Sequence, residues 1–319
     1  MEIIEQKKVE VVLATYNGEK HLREQLDSIL AQSYSNILIT IRDDGSTDAT
    51  NEILKEYQLS YPEQINLIDN EGIRLGAVGS FSKLLEHTQY KYVFLSDQDD
   101  YWVKDKIQKQ IDLIHETEQM WGNDCPLLVH SDLQLVDENL NILHPSVLNY
   151  IGRDPSKRSL NHLLVTNFIA GCSILINRNL LEIAVPFPPE TLSHDGWLAL
   201  VASAIGKIGF IQEPLIAYRQ HGLNAIGAKR SASILRPKEL VIKFQKFMFS
   251  KNRLRNRAEQ AKALKSRTQT MLSPDQIKMI DAFVALEHKN YLLQRITILK
   301  YGFLKHTPFQ IFSQLFQIV

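Results

Sequence analysis

The sequence predicts an α/β fold, a mostly parallel central sheet flanked by helices and followed by a helical C-terminal extension. Three observations carry this expectation. Short β-branched runs alternate with amphipathic helical stretches in the N-terminal third. The links between them are brief and rich in Asn, Asp, Gly and Ser. From residue 229 onward the composition shifts to long basic helices, which divides the chain into an expected α/β domain over residues 1–228 and a basic, aromatic-containing region over 229–319.

Residues 9–14 are apolar and largely β-branched and read as the first strand; Thr15-Tyr16-Asn17-Gly18 breaks it, and Leu22, Leu26, Ile29 and Leu30 follow at helical spacing. The grammar repeats with a strand at 37–41, the turn Asp43-Asp44-Gly45-Ser46, and the helical stripe Ala49, Ile53, Leu54 and Tyr57. A third strand at 65–68 leads through a Gly-containing loop, 71–79, to a helix over 81–87. The fourth strand spans 92–95, and another helix begins near Val103. Parallel sheets present their ligand loops at the carboxyl ends of the strands, so the loops at Thr15, Asp44, Arg74 and Asp97 are expected on one edge. After Gln119 the pattern is mixed: short strands at 127–130, 133–136 and 171–176, a helix over 196–205, and closing strands at 207–211 and 215–218. This half is expected to form the acceptor side of a cleft.

With 319 residues, 44% of them hydrophobic, the chain has enough apolar surface for a substantial core, which excludes a disordered protein. Its formal charge is zero but unevenly placed. From Lys229 onward there are eighteen Lys and Arg against five Asp and Glu, +13 for that region and −13 for the remainder. The acidic part suits a cation and the basic part an anionic partner. Cys125 and Cys172 lack metal-ligand spacing and fit a reducing compartment as small buried hydrophobes. The first eight residues carry no apolar signal-peptide core and no run of eighteen apolar residues occurs, so a cytoplasmic location without a spanning helix is expected.

The segment Phe94-Leu95-Ser96-Asp97-Gln98-Asp99-Asp100 runs an apolar strand straight into three carboxylates. Such groups repel one another and lose hydration unless a cation sits among them, so Asp97 and Asp99 point to a divalent-metal site with positions open to the phosphate oxygens of a nucleoside diphosphate. A polar loop capping the next helix is the alternative. In Asp43-Asp44-Gly45-Ser46-Thr47-Asp48 a carboxylate can accept from a base N–H or a ribose hydroxyl, while an ordinary capped turn explains the same residues. Tyr16 either stacks on a pyrimidine or belongs to the rim.

In order and spacing, Ala14-Thr15-Tyr16-Asn17-Gly18, Asp43-Asp44-Gly45-Ser46-Thr47-Asp48 and Asp97-Gln98-Asp99-Asp100 resemble the large second family of inverting glycosyltransferases. With His194-Asp195-Gly196-Trp197 and Tyr218-Arg219-Gln220-His221, the likeness is to its bacterial rhamnosyltransferase-type branch. The resemblance implies the GT-A fold and a sugar nucleotide bound through Mn2+ or Mg2+. It places Tyr16 against the base, Asp44 on the pyrimidine N–H, Asp97 on ribose or metal, and Asp99 on the metal. Thr15, Asn17, Asn70 and Arg74 become further donor contacts. Asp195, at the start of a helix whose dipole favours its ionised form, becomes the base that takes the acceptor proton, although a helix cap fits the position equally well and the resemblance decides. Arg219 or His221 would face the departing diphosphate, with His221 a third metal ligand.

The implied reaction moves a sugar, L-rhamnose for this branch, from a UDP or dTDP donor to a glycan or lipid-linked saccharide in surface polysaccharide synthesis. Two rivals use the same aspartates: a metal-dependent nucleotidyl- or phosphotransferase, and a non-catalytic nucleotide- or glycan-binding scaffold. No nucleic-acid module is recognisable. The basic C-terminal region, with Phe247, Phe249, Tyr301, Phe303, Phe309, Phe312 and Phe316, reads either as a surface for anionic membrane or as a helical cap or dimerisation face.

Overall fold

Runs of apolar residues buried on both faces pair in parallel, and four do so in the computed structural model, which describes residues 8–220 and 239–316. Strands β1 (Val9–Thr15), β2 (Ile37–Asp43), β3 (Ile65–Ile68) and β4 (Tyr92–Ser96) form this half. Helices α1 (Leu22–Leu30), α2 (Thr50–Ser60) and α3 (Gly76–His87) connect them. The second half adds β5 (Tyr101–Trp102), α4 (Lys106–Trp121), β6 (Leu127–Val136), β7 (Ile142–His144), α5 (Val147–Tyr150), α6 (Leu160–Val165), β8 (Leu175–Asn177), α7 (Arg178–Ala184), α8 (His194–Ile205) and β9 (Lys207–Arg219). The sheet order is β3-β2-β1-β4-β8-β6-β9-β5, with β7 on β6. Strand β8 runs antiparallel to both β4 and β6, so it joins the parallel half to a mixed one, in which β6 and β9 are parallel while β7 and β5 pair antiparallel.

The two-residue period of the strands divides the core. Val11, Leu13 and Phe94 face a cluster with Leu26, Ile53 and Ile111, whereas Val12, Val93 and Leu95 face one with Phe81, Trp197 and Leu198. Helices α1, α2 and α4 therefore cover one face, and α3 and α8 the other.

Three expectations change. The strands expected at 127–130 and 133–136 are one, as are those at 207–211 and 215–218. Ser131-Asp132 reads as a break, but the ladder shifts register there and continues. Asp132 remains inside because its carboxylate accepts from Ser146 Oγ and from the N–H groups of Leu133 and Leu148. The strand expected at 171–176 begins as a helical turn, in which the Ser173 N–H and hydroxyl both donate to the Ala170 carbonyl; only Leu175–Asn177 pairs. Helix α3 starts at Gly76, earlier than Phe81, because Asp44 accepts from the N–H groups of Leu75 and Gly76 and caps the helix from another loop.

The C-terminal helices are α9 (Glu239–Thr268), α10 (Pro274–Val284), α11 (Tyr291–Tyr301) and α12 (Pro308–Phe316). The expected boundary at 228/229 lies outside the described residues, as do the side chains of Phe247, Phe249, Phe309 and Phe316. Ala261, Leu264, Ile280, Phe283, Ile298 and Phe303 join the same core cluster as Trp197. Ser273 and Gln276 form a capping box at the start of α10, and Gln276 Nε2 donates to the Ala204 carbonyl at the end of α8. Among the described residues, no helix is long and apolar enough to cross a membrane.

Candidate active site

The carboxyl ends of β1, β2 and β4 meet, and Gln98 is the residue that ties two of them. Its Oε1 accepts from the Tyr16 N–H (2.8 Å) and the Thr15 hydroxyl (2.5 Å), while its Nε2 donates to the Tyr16 carbonyl (3.0 Å). The close approach needs Gly18, where a Cβ would lie 2.4 Å from Gln98 Oε1. Asn17 takes a left-handed φ of 49°; its N–H donates to Ser46 Oγ and its Oδ1 accepts from the Thr47 N–H. Asn70 Nδ2 donates to the Asp43 carbonyl, bringing the β3 loop to the same edge.

Within the Asp43-Asp44 pair the roles separate. Asp43 closes its own turn, accepting from the N–H groups of Gly45 and Ser46. Asp44 is buried and ion-paired with Arg42 at 2.6 Å, and it also accepts from Ser80. Burial alone would raise its pKa, but the bonds from Leu75, Arg42, Gly76 and Ser80 outweigh burial and hold the carboxyl below its ordinary range. Arg74 lies over the Tyr16 ring at 4.3 Å, and its stem covers Gly45, whose φ of +84° favours glycine.

At the end of β4, burial pushes Asp97 up to about 7, with the charges of Asp99 and Asp195 adding to the shift. These three carboxylates, distant in sequence, therefore share one electrostatic site. Asp195 stands in the first turn of α8, which begins after Ser193, whose side chain accepts from the Gly196 N–H. The preceding His194 stacks on Phe81 with ring centroids 4.0 Å apart, and a Cβ at Gly171 would meet its Nε2 at 2.2 Å. Phe81 and Gly171 thus set the entry of α8. Helix α3 links Asp44, through Ser80, to this point, through Phe81.

Below the rim lies a layer that sequence reasoning missed. Asp100 is fully buried and held well above the usual carboxylate range by burial and by Asp99 and Asp97. Cys172 lies beside it, its thiol pushed up by burial and then by Asp100 and Asp97. Lys106 has its ammonium 3.6 Å from the Trp102 ring centroid and 4.9 Å from that of Phe94, and burial lowers it to about 7. Ligand atoms of Asp97, Asp100 and Cys172 fall within 4.8 Å of one another. A protonated thiol suits a hard divalent cation poorly, so Cys172 with Asp100 forms a floor beneath Asp97 and Asp99.

Arg219 is also buried. Its N–H donates to Asp100, its Nε to the Asp99 carbonyl (3.0 Å), and its terminal nitrogens to the Glu138 carbonyl and to Glu24 (2.5 Å). The guanidinium expected to face a diphosphate is placed under the Asp99 loop, where it joins α1, β4 and the loop after β6. His221 lies outside the described residues. The fold brings together Thr15, Tyr16, Asn17, Asp44, Asn70 and Arg74 through their loops, and Asp97, Asp99 and Asp195 through their charges. Gln98, Lys106, Cys172 and Ser80 were missed; only Gln98, alone among aspartates, carried a local signal.

A parallel sheet that ends in nucleotide-type loops and a carboxylate rim, continued by a mixed half, defines the GT-A class of transferases. Residues 10–123 match the family described as Glycosyl transferase family 2. The dTDP-rhamnosyl transferase RfbG of Shigella flexneri is 32% identical over 231 residues, covering 69% of this chain and 75% of that protein. The putative teichuronic acid biosynthesis glycosyltransferase TuaG of Bacillus subtilis is 36% identical over 213 residues, covering 66% and 78%. Among solved structures, S. aureus TarS in complex with UDP-GlcNAc aligns with a TM-score of 0.57 at 16% identity, over 92% of this chain and 80% of that one. The mannosyltransferase PcManGT from Pyrobaculum calidifontis, in complex with GDP-Man and Mn2+, aligns at 0.53 and 16%, over 94% and 74%. The chain belongs to glycosyl transferase family 2 and is a glycosyltransferase.

Replacing Gln98 by Ala removes the tie between the β1 and β4 loops. Donor affinity, measured by calorimetry with the nucleotide sugar, is expected to fall about tenfold, the scale of losing one or two such bonds. Affinity unchanged by Gln98→Ala would show that the loops hold their places without it.

Proposed function

We propose that this glycosyltransferase is a metal-dependent, inverting enzyme that moves a sugar, L-rhamnose by likeness to the Shigella relative, from a UDP or dTDP donor to a glycan or lipid-linked saccharide of a surface polysaccharide. The carrying observation is the convergence of Asp97, Asp99 and Asp195: burial first, with the charges of Asp99 and Asp195 adding to it, raises Asp97 to about 7 and holds a proton on it. That proton marks a place for positive charge, so the residues fit a cation. Asp97 and Asp99 would hold Mn2+ or Mg2+, with His221 as the further assigned ligand. When bound, the ion supplies neutralisation of the diphosphate as it departs.

Tyr16 packs against the base, and Arg74 reaches the donor from its seat on that ring. Among the described residues, Asp44 Oδ2 accepts a single hydrogen bond, from Gly76, which leaves a lone pair for the pyrimidine N–H. Thr15, Asn17, Asn70 and Arg219 serve the donor by holding these loops in place. Asp195 takes the proton of the attacking sugar hydroxyl while Ser193 and the start of α8 fix its position.

A membrane-bound acceptor is supported by α11, which is inside out. Gln294, Arg295 and Thr297 are buried, whereas Leu292, Leu293, Ile296 and Leu299 are exposed, with Phe312 of α12 exposed as well. An apolar helix face turned outward, in a region of strong positive charge, suits an anionic membrane surface.

Three outcomes test this reading. Asp195→Asn is expected to lower turnover about 10²- to 10⁴-fold while leaving donor affinity nearly intact, with release of nucleoside diphosphate as the assay. Unchanged turnover would eliminate Asp195 as the base, and release of pyrophosphate would favour nucleotidyl transfer. In flotation with anionic vesicles, Ile296→Asp/Leu299→Asp is expected to lose most of the binding of the full chain; equal binding would retire the membrane reading.

The third outcome is a pH dependence. An unfolded chain loses the Asp97 proton near pH ~3.9, whereas the native state holds it to about 7. Asp97 therefore contributes stability that is present below the lower value and lost as pH rises through the higher one, in the absence of a cation. Cation binding displaces that proton, so Mn2+ affinity is expected to rise by up to about tenfold per pH unit towards neutrality and then level off. Calorimetry in buffers of different ionisation enthalpy counts the proton. A flat affinity would remove Asp97 from the ligand set.

A further inference from the structure

Away from the aspartate rim, cations gather in a second place. The loop after α5 carries Arg153 and Lys157, and it is bound to the chain between α11 and α12: Lys157 donates to the carbonyls of Lys305 and His306, Asp154 N–H to His306 Nδ1, and Arg153 to Gln310. Arg253 and Arg257 stand one turn apart on α9. Arg257 is lowered to about 10 by burial and by the charges of Arg253 and Arg153, and Lys305 is lowered by burial and then by Arg257, Arg153 and Arg253. The four cations thus lie within reach of one another's charge. Among the described residues none of them forms an ion pair with a carboxylate, and Asp154, the acid of the loop, is turned onto Ser156.

Two buried donors in the same cluster lack acceptors. Arg153 Nε has none. His306 is 5% exposed; its Nδ1 accepts from Asp154, so the neutral ring carries its proton on Nε2, which is buried and unpartnered. Burial first, and then Arg153 and Lys157, keep this ring neutral by lowering it to about 4. Four neighbouring cations beside two unused N–H groups, on Arg153 and His306, are a costly arrangement alone and a complementary one around an anion with several oxygens.

We propose that Arg153, Arg253, Arg257 and Lys305 form a phosphate- or diphosphate-binding notch between the loop after α5 and the C-terminal helices, separate from the donor's cation site. Its place relates it to the acceptor. His306 packs on Phe168 (5.2 Å), and Asn167 lies within 3.6–3.8 Å of where a Cβ of Gly196 would stand, beside Asp195. This role rests on the reading of the enzyme as using a phosphate-bearing, lipid-linked acceptor. The notch itself does not.

The test titrates inorganic pyrophosphate into the full chain with EDTA present, so that any diphosphate site dependent on a cation is silent, and repeats the titration on Asp99→Ala. Expected is a saturable rise in Tm in both, at equal ionic strength against chloride. Arg153→Gln/Arg257→Gln should bind at least about tenfold more weakly, yet without pyrophosphate should melt no lower than the parent, because like charges have been removed. If that pair fails to fold, Arg253→Gln, on an exposed residue, provides the same comparison. Phosphatidylcholine vesicles with and without phosphatidic acid then separate the sources. Recruitment that pyrophosphate competes away assigns the notch to a lipid phosphate, and pyrophosphate binding without recruitment assigns it to a soluble one. No saturable effect on the parent, or an equal effect on the variants, overturns the proposal whatever becomes of Asp97, Asp99 and Asp195.

Discussion

The catalytic edge depends on holding like charges together. Asp97, Asp99, Asp100 and Asp195 come from a strand end and a distant helix, and their repulsion must be met by the scaffold. Two devices meet it. Arg219, buried below the loop, donates to the main chain of Asp99 and to Asp100, so the acidic segment is fixed through its backbone as well as its charge. Beneath it, Asp100, Cys172 and Lys106 share a buried layer in which the acid and thiol are raised and the amine is lowered. Each shift moves its group towards neutrality. Negative charge is thereby concentrated at the accessible rim instead of being spread into the core.

The parallel half was legible because its signals are local: apolar runs, turn residues and helical stripes each lie within a dozen neighbours. Convergence of Thr15, Asp44 and Asp97 followed from topology alone. What escaped depends on partners far along the chain. The continuity of β6 through Asp132 relies on Ser146 and Leu148, and the early start of α3 relies on Asp44. Lys106 reads as a surface lysine at the start of a helix, yet it lies against two aromatic rings supplied by β4 and β5. Those rings stand only four and twelve residues away, yet burial of the ammonium against them is set by how β4 and β5 fold.

The same distinction separates two kinds of site residue. Family likeness selected Thr15, Asn17, Asn70 and Arg219 as donor contacts, and in the structure each uses its polar atoms on a neighbouring loop. A residue that positions the site and a residue that touches the ligand can occupy the same motif. Tyr16, Arg74, Asp97, Asp99 and Asp195 differ in kind, being engaged with one another's rings or charges at the edge.

The C-terminal helices extend this logic from donor to acceptor. Their inner residues complete the core beneath α8, so removing them would disturb the helix that carries Asp195. Their outer residues are arranged against the ordinary rule, with polar groups inward on α11 and leucines outward. Such an inversion is stable only if the buried Gln294 and Arg295 find partners, and they do: Gln294 donates to the Leu286 carbonyl and Arg295 to that of Leu315. Internal hydrogen bonding therefore releases the apolar face for another contact. Among the described residues, leucines turned outward thus stand next to a seam of Arg153, Arg253, Arg257 and Lys305 that form no ion pair, the two features from which a lipid-phosphate acceptor is proposed.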